Sequence, residues 1–300
     1  MQFFKSPAHQ FIANRRRFML LSSVLIFSGL VSIAVHRGFR MSIDFAGGSL
    51  VEIKLDKGVP LKEIRRVMDA AGFKGAEVTN FGAPTEVLVK AKSVGNAAEE
   101  ARAIKVALQK GLADRHVEMR RTESVGPKIG AELRNHAIWA IIYSLIGIVI
   151  YVSWRFEFRF AIAAIIALIH DVLFTLGFFS VANLEVSLAV IAAILTIVGY
   201  SLNDTIVVFD RIRENFHSRR RDNYAALVNA SINETLSRTV ITSLTTLFVV
   251  ACLVVFGGEV IRDFALTLLV GIIVGTYSSI FIASPILVEW QLRHVAKTKK

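Results

Sequence analysis

The feature that most constrains this chain is a series of apolar blocks, each about 18 residues or longer and poor in charge. A block of that length can cross a hydrocarbon layer roughly 30 Å thick as a single helix. The composition agrees, because 54% of the 300 residues are hydrophobic and only 20% are charged. An ordinary soluble fold is excluded, and we predict a polytopic α-helical membrane protein.

The apolar blocks predict six transmembrane helices, and the charges between the blocks predict their orientation. The predicted spans are residues 18–36, 136–154, 160–181, 186–208, 239–256 and 264–288. Loops rich in lysine and arginine stay in the cytoplasm. Such residues gather in the loop 209–237, which has three consecutive arginines at 219–221, and in the tail, which ends in Lys299 and Lys300. Both termini are therefore predicted to be cytoplasmic.

One folded domain is predicted between the first two spans. The predicted order is a cytoplasmic N-terminus (1–17), transmembrane helix 1 (18–36), an exterior domain with its connectors (37–135), transmembrane helices 2 to 6 (136–290) and a cytoplasmic C-terminus (291–300). Within the domain we predict strands at 49–55, 76–79, 85–91 and 115–122, and helices at 61–72 and from Asn96, a plausible N-cap, to 112. This order of strands and helices is that of the ferredoxin-like fold.

The charge balance and the reactive side chains exclude several classes of function. The net charge is +11, but residues 41–125 carry 14 basic and 12 acidic side chains, so most of the excess lies on the membrane part and its loops. That distribution indicates membrane topology rather than nucleic-acid binding. Cys252 is the single cysteine, so no disulfide framework or cysteine-rich metal site is predicted. A GxxxxGK[ST] phosphate loop is also missing, so we expect no ATPase activity.

Three ionisable residues within or at the edge of predicted spans are the candidates for function, because a charge at the bilayer centre costs about 3 kcal/mol on insertion scales. Asp204 lies in the fourth span beside Asn203, Arg238 opens the fifth, and Asp171 follows His170 in the third. The fourth and fifth helices share a cytoplasmic loop, so we predict that Asp204 and Arg238 meet and that the carboxyl group exchanges a proton. The alternative is that this pair only fixes helix register.

Other polar and small residues support either the site or the packing around it. Polar residues recur at three- and four-residue steps in the fifth span: Thr235, Arg238, Thr239, Thr242, Ser243 and Thr246. Asp171 is a secondary candidate, with the alternative that His170 or Thr175 merely satisfies its carboxyl group. Gly271 and Gly275 indicate close helix packing rather than transport.

Several motifs follow one another along nearly the whole chain. IDFAGG contains Asp44, Gly47 and Gly48, and SVGPKIG contains Gly126 and Pro127. The others are HD at 170–171, VGYSLNDTIVVFDRIREN at 198–215, SRTVITSLTT at 237–246 and FGGEVIRDFALTLLVGIIVGTYSSIFIASP at 256–285. In this order, with one exterior domain after the first span, they resemble the SecF subunits of the SecD/SecF family, within the resistance-nodulation-division superfamily.

The resemblance implies a subunit of the SecDF accessory complex, which uses the proton motive force in late steps of protein translocation across the bacterial inner membrane. The implied partners are SecD, the SecYEG channel, secreted preproteins and membrane lipid, with YajC as a further candidate. Asp204 and Arg238 match the family's proton-handling residues. The expected coupling ion is the proton, sodium remains an alternative, and no other cofactor is implied.

Two other functions compete with this one. A proton-coupled exporter of a lipid or small molecule would use the same superfamily architecture, although one exterior domain of about 85 residues leaves little material for a drug-binding vestibule. A scaffold subunit that only stabilises a complex would need no titratable site.

Overall fold

The computed structural model describes residues 9–92, 97–113, 115–218 and 223–298. The predicted cap at Asn96, the arginines at 219–221, and Lys299 and Lys300 lie outside these ranges. The described residues form a bundle of long helices and a smaller sheet domain, which is inserted between the first and second long helices.

Six long helical spans form the bundle. They are α1 (Arg15–Val35), α5 (Pro127–Arg155), α6 (Phe158–Val181), α7 (Leu188–Ser218), α8 (Tyr224–Phe256) and a sixth span made of α9 (Gly258–Ser278), a π-helical turn (Ser279–Ala283) and α10 (Ser284–Thr298). Each span is long and apolar enough to cross a membrane, which confirms the predicted membrane protein with six spans. About half of the apolar part of α6, α7 and the sixth span is buried, so these three form the centre of the bundle.

The helices α7 and α8 continue beyond the apolar blocks into the predicted loop 209–237. Their extensions contact each other through polar groups: Nδ2 of Asn215 on α7 donates to Oγ of Ser231 on α8 at 2.9 Å. A hydropathy window marks only the lipid-suited part of a helix, so it did not predict these polar continuations.

The π-helical turn in the sixth span was also not predicted. Pro285 lies two positions after its last residue, and a proline inside an α-helix removes one backbone donor and crowds the carbonyl four residues earlier. A π-helical turn is wider than an α-helical one, and Oγ of Ser284 donates to the backbone oxygen of Ser279, five residues earlier, at 2.8 Å. Such turns are frequent at functional sites.

The sheet domain contains four strands and two helices. They are β2 (Gly48–Leu55), α3 (Leu61–Ala70), β3 (Glu77–Phe81), β4 (Ala83–Lys92), α4 (Ala97–Gly111) and β5 (Val117–Val125). All neighbouring strands are antiparallel, and their order across the sheet is β3-β4-β2-β5. The helices α3 and α4 cover one face, where Ile64, Met68, Ile104 and Leu108 pack with the buried strand residues in one apolar core.

Two short elements join the sheet domain to the bundle. β1 (Arg40–Met41) pairs in parallel with β6 (Glu185–Val186), which lies between α6 and α7. The single turn α2 (Ile43–Ala46) begins after its N-cap, Ser42, whose side chain accepts a hydrogen bond from the backbone nitrogen of Asp44. This turn packs against α5. Elements this short have no periodic pattern, so the sequence did not predict them.

Candidate functional site

Asp204 lies inside the bundle on α7, with only 2% of its surface exposed. Its Oδ2 accepts a hydrogen bond from Oγ of Ser243 on α8 at 3.2 Å. The same Oγ lies 2.7 Å from Oγ1 of Thr276 on α9. Two hydroxyl groups therefore connect this carboxyl group to both neighbouring helices.

Arg238 does not pair with Asp204, so the predicted contact between them is absent. Among the ion pairs of the described residues, none joins Arg238 to Asp204. The reason is the helical period of α8: at 3.6 residues per turn, neighbouring side chains point in directions about 100° apart. Thr235, Thr239 and Ser243 face the interior and are buried, whereas Arg238 faces outward and is exposed. The buried Oγ1 of Thr239 has no hydrogen-bond partner among the described residues.

Several polar residues lie on the outer surface of the bundle beside Asp204. Asn203 on α7 and Thr242 on α8 are exposed, like Arg238. Oη of Tyr200 donates to the backbone oxygen of Thr242 at 3.0 Å, which ties the two helices together at the surface. We call these four residues the α7/α8 polar face. Polar groups at membrane depth are unfavourable against lipid, so this face is suited to a protein partner or to water.

Asp171, the secondary candidate, is fully buried on α6. Its Oδ1 lies 2.9 Å from Nδ1 of His170, and its Oδ2 accepts hydrogen bonds from Oγ of Ser201 on α7 (2.5 Å) and Oγ of Ser278 on α9 (2.8 Å). Thr175 has a different role, because its Oγ1 donates to the backbone oxygen of Asp171 at 2.8 Å. The carboxyl group of Asp171 thus connects three helices.

Three hydroxyl groups around the two acids were not predicted from the sequence, namely those of Ser201, Thr276 and Ser278. A single serine or threonine in an apolar helix has no distinctive signal, because its hydroxyl can bond to the preceding turn. The usable signal was spacing. Ser201 precedes Asp204 by three positions and Ser278 follows Gly275 by three, so each pair lies on one helix face.

The helices α7 and α9 approach each other closely at two glycines. A Cβ atom on Gly271 would lie 2.1 Å from Cδ1 of Ile197, and one on Gly275 would lie 2.9 Å from Cβ of Ser201. Both distances are too short for a real contact, so the approach depends on glycine at these positions. The second glycine brings Ser201 near Ser278 and therefore helps to form the site around Asp171.

The two glycine motifs meet where the sheet domain joins the bundle. Gly47 has a φ of +75°, and a Cβ there would lie 2.9 Å from Cα of Pro127. A Cβ on Gly48 would lie 2.6 Å from the backbone oxygen of Ala91. Gly126 directly precedes α5, and a Cβ there would have no neighbour within 4 Å. A Cβ on Gly130, the last residue of the second motif, would lie 2.9 Å from the backbone oxygen of Phe45. The first motif therefore needs its glycines for space, and the second motif needs Gly130 but not Gly126.

Asp44 connects this junction to α7. Its Oδ2 accepts a hydrogen bond from the backbone nitrogen of Leu188, the first residue of α7, at 3.0 Å. A carboxylate at the N-terminus of a helix satisfies a free backbone donor and interacts favourably with the helix dipole. The first glycine motif therefore also holds the end of the helix that carries Asp204.

An ion-pair network beside the junction links β1, β3, β4 and β6. Arg40 pairs with Glu77 at 2.6 Å and with Glu185 at 3.4 Å, and Lys90 pairs with Glu185 at 2.6 Å. Burial raises the pKa of the Glu185 carboxyl. Burial acts on Glu77 in the same direction, but the hydrogen bond and charge of Arg40 outweigh it and lower the pKa of Glu77. The pKa values of these two carboxyl groups are therefore shifted in opposite directions.

The described residues hold no cluster of three or more His, Cys, Asp and Glu side chains that could bind a metal ion. Asp171 and Asp204 each have a separate set of hydroxyl partners. One carboxyl group with two or three hydrogen-bond donors suits the exchange of a proton better than the binding of a divalent cation, which takes about six or more oxygen ligands.

Comparison with known proteins establishes the family. The model described as "Protein export membrane protein SecD/SecF, C-terminal" matches residues 104–293, and the "SecD/SecF GG Motif" matches residues 33–59. The protein translocase subunit SecF of Desulfurispirillum indicum is 46% identical over 95% of this chain and 92% of its own length. The chain belongs to the SecD/SecF family. Among its relatives, protein translocase subunit SecF of Vibrio alginolyticus is 48% identical over 89% of this chain and 83% of its own length.

A solved structure of a larger protein contains the same fold. It is the crystal structure of SecDF from Thermus thermophilus, described as a translocon-associated membrane protein, which is 42% identical and covers 95% of this chain with a TM-score of 0.83. This chain spans only 39% of that structure's chain. The bundle and its sheet domain thus correspond to one part of a SecDF protein.

Proposed function

We propose that this chain pairs with SecD as the smaller half of a unit that assists late steps of protein translocation through SecYEG in the bacterial inner membrane. Membership in the SecD/SecF family supports the proposal, as do relatives named protein translocase subunits. The energy comes from the proton motive force rather than from ATP bound by this chain. One charge that crosses 100 mV yields about 2.3 kcal/mol, which is enough to move a two-state element.

The observation that carries the proposal is the position of Asp204. A carboxyl group that is 2% exposed on a membrane-spanning helix is expensive as a charge, and its partners in this chain are hydroxyl groups rather than a cation. Binding and release of a proton would therefore change both its charge and its hydrogen bonds. Ser243 has one hydroxyl hydrogen, which can point to Oδ2 of Asp204 or to Oγ1 of Thr276.

SecD is the proposed occupant of the α7/α8 polar face. Arg238 and Asn203 are exposed there, on a surface that lipid would solvate poorly. The related SecDF structure has a chain much longer than this one, which leaves room for a second half. In this arrangement Arg238 acts across the interface with the partner, near Asp204 but without a direct contact to it.

We propose that the sheet domain has the ferredoxin-like fold and faces the periplasm, with both termini in the cytoplasm. Its strand order β3-β4-β2-β5 and the two helices on one face support this assignment. Arg155, Arg159 and Arg211 lie at the opposite end of the bundle, as cytoplasmic residues should. Secreted preproteins are then the proposed contacts of the sheet domain, and YajC is a further candidate partner.

Replacement of Asp204 by asparagine tests the proposal. Asp204→Asn should abolish the part of preprotein export that depends on the proton gradient, measured in membrane vesicles that contain SecYEG and SecD, with and without a protonophore. The matched control is Asp210→Asn on the same helix, because Asp210 is half-exposed and pairs with Arg155 at the end of the bundle. This control should keep gradient-dependent export within about twofold of the unmodified chain.

The same measurements separate the competing functions. Full gradient-dependent export by Asp204→Asn, with normal levels of the complex, would overturn the proposed role of this acid and favour a scaffold. Normal protein export together with a resistance or lipid phenotype would favour a small-molecule exporter.

A further inference from the structure

The cluster around Asp171 has the features of a second ion-binding site. Asp171 and His170 are 0% and 7% exposed, and serines from two other helices donate to the carboxylate. An ionised carboxylate can only accept hydrogen bonds, so Nδ1 of His170, at 2.9 Å, must donate to it. In the neutral imidazole the other ring nitrogen, Nε2, is then an acceptor, and it is buried without a hydrogen-bond partner among the described residues. The cluster therefore has one acceptor position that no protein group fills.

No lysine or arginine pairs with this carboxyl group in the part of the chain that the structure describes, and His170 is a cation only when it is itself protonated. Within the described ranges, the only ion pair of Asp171 is with His170. The other titratable groups nearby are Tyr277 on α9, which stacks on the His170 ring, and Asp204 on α7, one turn from Ser201. α1 contributes the Ser22 hydroxyl and the Phe18 backbone oxygen, which both bond to the hydroxyl of Tyr277. A buried charge without a countercharge is costly, and a bound proton removes that cost.

Hydrogen counting shows what a proton on Asp171 would change. The hydroxyl of Ser278 has one hydrogen and two acceptors within reach, Oδ2 of Asp171 at 2.8 Å and the backbone oxygen of Gly275 at 3.1 Å. When Oδ2 carries a proton it becomes a donor to Ser278, and the hydrogen of Ser278 turns to Gly275. Protonation therefore reverses the direction of one hydrogen bond and strengthens another within α9.

Asp204 acts on the same stretch of α9. It is linked through Ser243 to Thr276, which is two positions from Ser278. The π-helical turn, Ser279–Ala283, begins directly after Ser278. Both acids are thus connected to the residues 275–278 at the end of α9, next to the least regular backbone of the span.

We propose that Asp171, held by His170, is a second proton-binding site that is separate from Asp204, and that residues 275–278 of α9 respond to both sites. The coupling of this site to export rests on the proposed function. Its ability to bind a proton does not, so the two can be tested apart.

Infrared difference spectroscopy tests the proton directly. Spectra of the full chain in lipid nanodiscs, recorded between alkaline and acidic pH, report each carboxyl group that gains a proton. In an Asp204→Asn background we expect a carboxylic acid band that disappears when Asp171→Asn is added. Ser278→Ala should keep this band but shift its frequency, because a hydrogen-bond partner is removed. Ser284→Ala is the matched control, since that hydroxyl bonds to the backbone of Ser279, and it should leave the band unshifted.

Two outcomes would overturn the proposal: no band lost on addition of Asp171→Asn, or a band that Ser278→Ala and Ser201→Ala both leave unshifted. The serine variants retain the acid, so they keep the test valid if Asp171→Asn does not fold. If the band behaves as expected but export never depends on the proton gradient, the second site exists and the proposed function is wrong. If export depends on Asp204 and the band is missing, the proposed function stands and the second proton-binding site does not exist.

Discussion

At the scale of residues, the bundle places hydroxyl groups between its acids and its helix backbones. Ser243 and Ser278 each lie within reach of two acceptors but can satisfy only one at a time. A hydroxyl in that position is a small two-state element, because its hydrogen follows the protonation of the neighbouring carboxyl group. The close packing of α7 on α9 is what keeps these groups within hydrogen-bond distance.

The first prediction concerns that packing. Gly275→Ala would place a methyl group 2.9 Å from Cβ of Ser201 and 3.3 Å from its Cα, so the backbone of α7 would have to shift. We expect a loss of about 1–3 kcal/mol in the free energy of unfolding, the usual cost of overpacking. Unfolding in detergent, followed by circular dichroism, measures this change. Gly199→Ala on α7 is the control, because its added Cβ would meet nothing within 4 Å. Equal stability of the two variants would contradict the packing argument.

The second prediction concerns the pH dependence of the sheet domain. Because Arg40 lowers the pKa of Glu77 below its ordinary value of 4.5, this carboxylate stabilises the fold above about pH 4.5, and the contribution disappears as the pH falls through the lowered pKa. Glu77→Gln should therefore be less stable at neutral pH and should lose less stability on acidification. Resistance of the sheet domain to proteolysis between pH 7 and pH 3, with an acid-tolerant protease, measures both effects.

The control for this prediction is Asp56→Asn, an exposed acid in the loop after β2. It should match the unmodified protein at each pH. A Glu77→Gln variant with an unchanged acid response would show that the pair with Arg40 does not contribute to stability. The side chain of Glu77 is 33% exposed, so solvent screens its pair with Arg40 and weakens the contribution of that pair.

At the scale of elements, the junction between α2 and α5 controls how the sheet domain sits on the bundle. The third prediction tests it with two glycines that both have positive φ. Gly47→Ala and Gly72→Ala share the conformational strain, but only the first would also approach the Pro127 backbone, at 2.9 Å. We expect Gly47→Ala to be less stable by a further 1–3 kcal/mol, approximately. Thermal unfolding of both variants measures the difference, and equal midpoints would contradict the proposed contact.

Long elements could be predicted from the sequence, and short ones could not. The apolar blocks predicted six spans, and period-2 and period-3.6 patterns predicted the strands and helices of the sheet domain. α2, β1, β6 and the π-helical turn depend on contacts with distant residues, so no local pattern announces them. Asp204 and Asp171 were found because charges are rare in membrane spans. The outward position of Arg238 was missed because a stripe at mixed three- and four-residue steps covers more than one helix face.

At the scale of the whole molecule, the α7/α8 polar face indicates a bundle that is incomplete alone. The fourth prediction is that SecD covers this face. In a chain with Cys252→Ala, Asn203→Cys should react readily with a maleimide in detergent when the chain is alone, and much more slowly when SecD is co-expressed. Lys74→Cys, exposed in the loop after α3, should react at the same rate in both samples. If Asn203→Cys reacted with the maleimide equally fast with and without SecD, the partner would bind elsewhere.

The hydrogen bond from the backbone of Leu188 to Asp44 has a mechanical consequence. Asp44 on α2, which joins the sheet domain to the bundle, holds α7 at its first residue, and Asp204 lies roughly 24 Å farther along at 1.5 Å per residue. Because α7 is one continuous helix between Leu188 and Asp204, it can act as a lever arm. A tilt of about 5° around Asp204 would move Leu188 by roughly 2 Å. A small rotation inside the bundle would thus reach the sheet domain as a displacement of more than half the rise of one strand residue, which is about 3.3 Å.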